Sequence, residues 1–182
     1  MHRILYSTLV LLLLAGCAAT IPVFDAGTPC EADAFTVLDG FGGARRGQCT
    51  VLAPNHVRLS ILPEDDGYIN PSPWYAFRLL PDSGDTALVS LQYFGGKHRY
   101  VPKYSYDGLT WSPLDEADVQ ISEDETVARI KVPLDGRPVW VAAQELITPA
   151  IYRSWNHQIA DSSDAELRLL GSSLRNQPIH LL

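Results

Sequence analysis

The chain has 182 residues, with 14 basic and 21 acidic side chains, a formal net charge of −7 and a mean hydropathy of −0.01. This length fits one domain that buries a core without help from a structural metal. The acidic excess argues against nucleic acid as a partner, since binding to phosphates requires a basic surface.

The first sixteen residues are typical of a secretory signal peptide. His2 and Arg3 precede an apolar run from Leu9 to Leu14, which is too short to cross a bilayer. Leu14-Ala15-Gly16-Cys17 then resembles the lipobox of bacterial lipoproteins, in which the cysteine is acylated and becomes the new N-terminus. We expect residues 1–16 to be removed and Cys17 to carry lipid. The alternative is an ordinary cysteine near the cleavage site of a soluble protein.

A lipid on Cys17 predicts a location in the bacterial cell envelope. Each buried methylene of an acyl chain contributes about 0.8 kcal/mol, so several chains on one cysteine anchor a protein stably. Residue 18 is alanine rather than aspartate. By resemblance to enterobacterial sorting, this favours the outer membrane, with the protein facing the periplasm.

Residues 17–33 read as a lipidated tether, because they are small, turn-rich and contain proline. With Cys17 acylated, Cys30 and Cys49 remain as a pair in an oxidising compartment, where such pairs usually form disulfides. We predict the bond Cys30–Cys49, closing a loop of about twenty residues and contributing about 3 kcal/mol. Two buried free thiols are the alternative.

Residues 34–146 contain short alternating segments separated by turn signals, a pattern typical of strands. We expect His56 to Leu62 to bury Val57, Leu59 and Ile61 and to turn His56, Arg58 and Ser60 to water. We also expect Asp82-Ser83-Gly84-Asp85 to join two strands as a hairpin. Nine strands are predicted in all: Ala34–Leu38, Gln48–Leu52, His56–Leu62, Trp74–Leu80, Thr86–Phe94, Tyr100–Tyr104, Val119–Ser122, Thr126–Leu134 and Val139–Ala143. This spacing predicts an all-β antiparallel sandwich or jelly roll of eight or nine strands.

The period becomes helical after residue 147. Thr148-Pro149 is a good helix start, and Ile151, Tyr152, Trp155 and Ile159 recur on one face. The capping box Ser163-Asp164-Ala165-Glu166 predicts a second short helix that ends at Gly171. The all-β fold therefore carries one or two short C-terminal helices.

Two stretches of this sequence resemble a known family. Residues 70–111 read NPSPWYAFRL, a valine- and leucine-rich strand and then GGKHRYVPKYSYDGLTW. From about residue 33 to residue 160, the chain resembles the N-terminal β-sandwich domain found ahead of the catalytic domain in zinc metallocarboxypeptidases of the cytosolic-carboxypeptidase branch. The end, LLGSSLRNQPIHLL, resembles the run into their first catalytic strand, except that Asn176-Gln177 replaces Gly-Arg. Residues 147–182 are thus expected to be a helical linker and the start of a catalytic domain missing from this chain.

The sequence contains no recognisable catalytic or metal site. In the resembling enzymes, a His-x-x-Glu pair and a later histidine hold the zinc, but no histidine here is followed three residues later by glutamate. No Gly-x-Ser-x-Gly elbow occurs either. We therefore expect no cofactor in this chain, and zinc only in the missing catalytic domain.

One basic and aromatic group is the best candidate for a binding or domain-interface surface. Aromatic rings stack on sugars, and lysine or arginine pairs with carboxylates, so the group suits a cell-wall glycan or a partner domain. The alternative is that the rings pack the sandwich and the cations are simply solvated. The predicted residues are Trp74, Lys97, His98, Arg99, Lys103, Tyr104, Trp111 and Trp155.

Two functional hypotheses follow. The first is a non-catalytic accessory domain, resembling that of zinc carboxypeptidases, which supports or shapes access to a catalytic domain absent from this chain. If that domain is missing, Trp155, Leu167, Leu169, Leu170 and Ile179 should be partly exposed. The second is a stand-alone envelope lipoprotein that binds peptidoglycan or polysaccharide.

Overall fold

The computed structural model describes residues 28–64, 72–162, 164–174 and 176–182. The signal peptide, Cys17 and the tether up to residue 27 lie outside the described residues, as do Asn70 and Pro71 at the start of the family-like stretch. No helix in the described part of the chain is both long and apolar enough to cross a bilayer.

The described residues form thirteen strands, one α-helix and a short 3-10 helix at Glu116–Asp118. The α-helix, α1, is Pro149–Ser162. The strands are β1 (Cys30–Glu31), β2 (Phe35–Leu38), β3 (Cys49–Ala53), β4 (His56–Ile61), β5 (Ala76–Pro81), β6 (Thr86–Tyr93), β7 (Lys103–Ser105), β8 (Ser112–Pro113), β9 (Val119–Ile121), β10 (Val127–Pro133), β11 (Val139–Ala142), β12 (Arg168–Ser172) and β13 (Pro178–Leu181).

Two large sheets pack against each other and enclose the core. The first has the order β1-β2-β5-β11-β7-β8 and the second β3-β4-β6-β10-β9, while β12 and β13 form a separate hairpin. The pairs are antiparallel apart from β4 and β6, which run parallel. The predicted all-β sandwich is confirmed, and each of the nine predicted strands overlaps an observed one.

The core follows from the alternation of the sequence. In β4, the side chains of Val57, Leu59 and Ile61 are buried, and β6 and β10 bury every second residue in the same way. Burying such a side chain contributes about 1.5–3 kcal/mol. The two apolar faces therefore hold the sheets together.

The disulfide between Cys30 and Cys49 is confirmed. It joins β1, at one edge of the first sheet, to β3, at one edge of the second. The two layers are thus covalently linked along one side of the sandwich. At the other side, the edge strands are β8 and β9, with the 3-10 helix between them in sequence.

The predicted hairpin across Asp82–Asp85 is wrong. β5 pairs with β2 and β11 in the first sheet, whereas β6 pairs with β4 and β10 in the second. The turn therefore carries the chain from one layer to the other. The chain leaves β4, crosses to β5 in the opposite sheet and returns to β6, which is why β4 and β6 run parallel.

The predicted second helix is also wrong, since Arg168–Ser172 is strand β12, paired with β13. Long-range backbone pairing with Pro178–Leu181 overrides the local capping signal. The first helix is confirmed. It begins at Pro149, and the Thr148 hydroxyl oxygen accepts a hydrogen bond from the Ile151 N–H at 3.3 Å.

The prediction that His56 and Ser60 face water is wrong as well. Ser60 is buried, and His56 is half-buried with its Nε2 atom 2.9 Å from the Ser90 hydroxyl oxygen. Ser90 belongs to the adjacent strand β6 of the same sheet, so its side chain lies beside His56 on the outer face. Arg58, by contrast, is exposed as expected.

Candidate functional site

The exposed apolar side chains concentrate at the C-terminal end of the described chain. Among the residues that the structure describes, ten of the fifteen large exposed hydrophobic residues lie between positions 147 and 182, although this segment is less than a quarter of the described residues. We call seven of them the C-terminal apolar surface: Tyr152, Trp155 and Ile159 of α1, and Leu169, Leu170, Ile179 and Leu181 of the hairpin. Such a concentration is typical of a surface that another polypeptide covers.

The buried residue of helix α1 is polar. It is Asn156, 3% exposed, whose Nδ2 atom has no hydrogen-bond partner among the described residues. Tyr152, Trp155 and Ile159 remain exposed. A helix that packed only onto its own domain would show the reverse arrangement. The apolar side of α1 therefore fits a partner outside the sandwich.

The hairpin β12–β13 is incomplete as a sheet. Its two strands pair only with each other, and their outer edges meet no further strand in the described chain. Two isolated strands are marginally stable in water, and more strands or a helix are needed to complete such a unit. The expected exposure of Trp155, Leu169, Leu170 and Ile179 is observed, with Leu167 half-buried.

A groove of about 380 Å³ lies between α1 and the body of the domain. The Trp111 and Trp155 side chains line it, together with the aliphatic side chains of Leu146 and Ile151. The Glu145 carboxylate stands at the groove and accepts a hydrogen bond from Lys103 Nζ at 2.6 Å. The structure thus brings together three of the predicted site residues, Lys103, Trp111 and Trp155, and we call this the tryptophan groove.

Other predicted site residues make local contacts elsewhere. Lys97 pairs with Glu125 at 3.1 Å, and the Arg99 guanidinium stacks on the ring of Tyr100, 5.0 Å from its centroid. Tyr104 packs edge-on against Tyr106, with ring centroids 5.7 Å apart. Because Lys97 and Lys103 are both neutralised by carboxylates, the expected basic surface carries little free positive charge.

The placement of His98 on that surface is wrong. Its side chain is buried, with Nδ1 2.8 Å from the Tyr93 hydroxyl oxygen and the two rings edge to face. Burial lowers the pKa of His98, and Glu125 acts in the opposite direction. His98 is therefore a buried residue of the loop after β6, packed against Tyr93 of that strand.

Trp74 and Trp111 share a small apolar cluster that the sequence did not reveal. The Trp74 indole N–H donates to the Gly43 carbonyl at 3.0 Å, and both rings pack with Phe41, Trp140 and Leu146. In β11, Val139 and Val141 face the core, so Trp140 lies on the opposite face, stacked with Arg78. That alternation was the available signal for Trp140.

The described residues do not fit a zinc ion. Across the described ranges, no three His, Cys, Asp or Glu side chains converge as metal ligands. His56 and His98 are each within hydrogen-bond distance of a hydroxyl group, Ser90 and Tyr93 respectively, and His157 is exposed on α1.

The comparisons with known proteins show a likeness of fold. No protein-family model matches the sequence, and no curated protein matches it either. The fold resembles that of a candidate carboxypeptidase A from Shewanella denitrificans OS-217, with a TM-score of 0.64 and 20% identity over 79% of this chain. What is shared is the fold.

Two further solved structures show the same likeness. A metallo-carboxypeptidase from Burkholderia cenocepacia gives a TM-score of 0.62 at 15% identity over 80% of this chain. One from Pseudomonas aeruginosa, in complex with (2-guanidinoethylmercapto)succinic acid, gives 0.55 at 14% over 79%. The chain spans 38% of the length of each of these three neighbours. It therefore corresponds to part of each larger protein.

Proposed function

We propose that this chain is a non-catalytic accessory β-sandwich of a zinc metallocarboxypeptidase. Its role is to support a catalytic domain that these 182 residues do not include, and to shape access to that domain's active site. Any zinc belongs to the catalytic domain. The C-terminal apolar surface and the tryptophan groove form the docking face.

The single observation that carries this proposal is the orientation of α1. The helix buries Asn156 and exposes Tyr152, Trp155 and Ile159, although burying those three side chains would stabilise the fold. An exposed apolar face on a helix is explained by a second body packed against it. The low coverage of the structural neighbours supports the same view, because most of each neighbour lies outside the matched part.

The test is capture of a zinc peptidase. The tagged chain, expressed in its native host, should co-purify with a polypeptide that carries a His-x-x-Glu motif, or be continuous with one. Trp155→Asp and Leu169→Asp should each reduce recovery at least about tenfold, since each places a charge in an apolar interface. His157→Asp is the matched control, because it adds the same charge to an exposed position of α1.

Two outcomes contradict the proposal. One is equal recovery with the Trp155 and His157 variants. The other is zinc-dependent peptidase turnover by the purified chain alone that a chelator abolishes, because an accessory domain has no catalytic groups of its own.

We also propose that Cys17 anchors the protein by lipid in the outer membrane, facing the periplasm. The support is the lipobox-like run that ends at Cys17. The disulfide is consistent with an oxidising compartment. In this arrangement the membrane is a partner only through the anchor.

Binding to a cell-wall glycan is the second candidate function. It is favoured by the tryptophan groove, where two indole rings line an open cleft beside Glu145 and Lys103. Retention on purified peptidoglycan that is lost with Trp111→Ala and reduced with Lys103→Ala would support it. Equal retention of these variants and the unaltered chain would refute it.

A further inference from the structure

The free edge of the second sheet differs from the other sandwich edges. β1 and β3 are joined by the disulfide, β3 carries a register shift between Val51 and Ala53, and β8 ends in Pro113. Prolines, bulges and charged residues normally prevent a sheet edge from pairing with another chain. β9, which reads Val119-Gln120-Ile121, contains none of them.

The pairing register of β9 with β10 leaves the backbone N–H and C=O of Ile121 directed away from β10. Ser122 N–H donates to the Val127 carbonyl at 2.9 Å, so Ile121 and Ala128 form the next, non-hydrogen-bonded pair. The Ile121 N–H and C=O therefore point off the free edge. β10 does not use them, and they are available to an additional strand.

An apolar groove of about 290 Å³ lies beside this edge. Its lining includes Val101, which is 62% exposed, Ile121, which is 51% exposed, and the side chains of Pro102 and Leu114. Val119 and Ile121 pair with the buried residues Ile130 and Ala128, so their side chains lie on the core-facing side of the sheet. A strand added at β9 would point every second side chain into the groove.

Acidic side chains flank both ends of β9. Asp115, Glu116 and Asp118 precede it, and Glu123, Asp124 and Glu125 follow it. Lys131 pairs with Asp118 at 3.7 Å, and Lys97 pairs with Glu125. Arg99 is a nearby cation, stacked on Tyr100. In the described residues, the other four carboxylates form no ion pair, so the rim is net negative.

We propose that β9 and its groove bind an extended polypeptide segment by β-strand addition. The segment is about three to five residues long, with alternating apolar side chains for the groove and lysine or arginine at its ends for the acidic rim. This site is independent of the docking face on α1 and the hairpin. It makes the sandwich a binding module for basic, extended peptide as well as a supporting domain.

The probe is the peptide acetyl-Lys-Arg-Val-Thr-Val-Arg-Lys-amide, titrated into the purified chain by calorimetry at low ionic strength. Its counterpart acetyl-Glu-Asp-Val-Thr-Val-Asp-Glu-amide is the charge control. We expect saturable binding of the basic peptide alone, with slower hydrogen exchange at the Ile121 amide. Equal affinity for both peptides, or no saturable binding, overturns the proposal.

Two variants of Ile121 isolate the backbone contribution. Ile121→Ala removes the side chain and keeps the N–H, whereas Ile121→Pro removes both, and the lost N–H points away from β10. The proline variant should bind about tenfold more weakly than the alanine variant. If the proline variant does not fold, the same peptide N-methylated at both valines decides the question on the unaltered chain. Strand addition is refuted if the proline variant binds as tightly as the alanine variant or, where the proline variant does not fold, if the N-methylated peptide binds as tightly as the unmethylated one.

Glu116→Lys tests the rim. It should weaken the basic peptide about fivefold, because the new cation repels the peptide's charged end. Asp161→Lys makes the same change at an exposed position of α1 and should leave the affinity unchanged. Equal losses in both variants would show a general charge effect and contradict a site at β9.

Discussion

Arg46 and Asp39, both in the segment between β2 and β3, form a buried ion pair. Their side chains are 1% and 2% exposed, with Nε and Oδ2 3.6 Å apart. Arg46 also donates to the carbonyls of Gly47 and Thr28. Removing one partner of a buried pair leaves the other charge uncompensated, which is more costly than losing the pair as a whole.

Arg46→Met should therefore lower the free energy of unfolding by about 3–5 kcal/mol, measured by urea denaturation. Adding Asp39→Asn to this variant should restore about 1 kcal/mol or more, since no buried charge remains. Strictly additive losses in the double variant would show that the two side chains do not interact.

His98 makes stability depend on pH. Burial lowers its pKa below the ordinary 6.5, so the unfolded chain binds a proton more readily than the folded one. The stabilising contribution of neutral His98 is therefore present above about pH 6.5 and is lost as the pH falls below it. His56 acts in the same direction, because burial and then Arg129 and Arg58 lower its pKa.

The urea concentration at the unfolding midpoint should be lower at pH 5.5 than at pH 7.5, and His98→Gln should make this difference smaller. His157→Gln, on the exposed surface of α1, serves as the control. An identical pH slope in the His98 variant and the unaltered chain would show that His98 does not titrate differently on folding.

At the scale of elements, the strands were predictable and their partners were not. Alternation in β4, β6 and β10 marks each strand because one face of each sheet is buried. Pairing depends on contacts between distant residues, so the sequence favoured a β5–β6 hairpin where the chain changes sheets. The Ser163–Glu166 capping box is likewise a local signal, and the pairing of β12 with β13 outweighs it.

The candidate site was also only partly predictable, because the sequence shows which residues are aromatic or basic but not which distant residues come together. Trp111 and Trp155 stand out as large aromatic residues, and the structure places both in one groove. His98 looked exposed because its sequence neighbours are basic, yet the Tyr93 hydroxyl and the core enclose it. Nothing in the sequence signals that β9 is an edge strand. An edge strand is one with a paired neighbour on only one side, and this is a property of the folded sheet.

The disulfide links the edges of the two layers, so its loss should affect the whole sandwich. It joins residues separated by 19 positions. Cys30→Ser with Cys49→Ser should lower the free energy of unfolding by about 3 kcal/mol, because the unfolded chain gains freedom. Denaturation of both proteins without reductant is the measurement. An unchanged free energy of unfolding would show that hydrophobic packing alone holds β1 against β3.

For the molecule as a whole, the proposed lipid anchor on Cys17 would determine the compartment of the domain. Cys17→Ser should move the protein from the membrane fraction to the soluble periplasmic fraction and abolish incorporation of radiolabelled palmitate. Cys30→Ser with Cys49→Ser should leave both readouts unchanged, because these cysteines form the disulfide. Palmitate labelling that persists in the Cys17 variant would contradict the anchor.

In the proposed function, a catalytic domain covers α1 and the hairpin. Hydrogen–deuterium exchange of the chain, alone and bound to its zinc peptidase partner, measures that cover. We expect slower exchange over Pro149–Ser162, Arg168–Ser172 and Pro178–Leu181 in the bound state. Unchanged exchange in all three segments, with protection elsewhere on the sandwich, would contradict it.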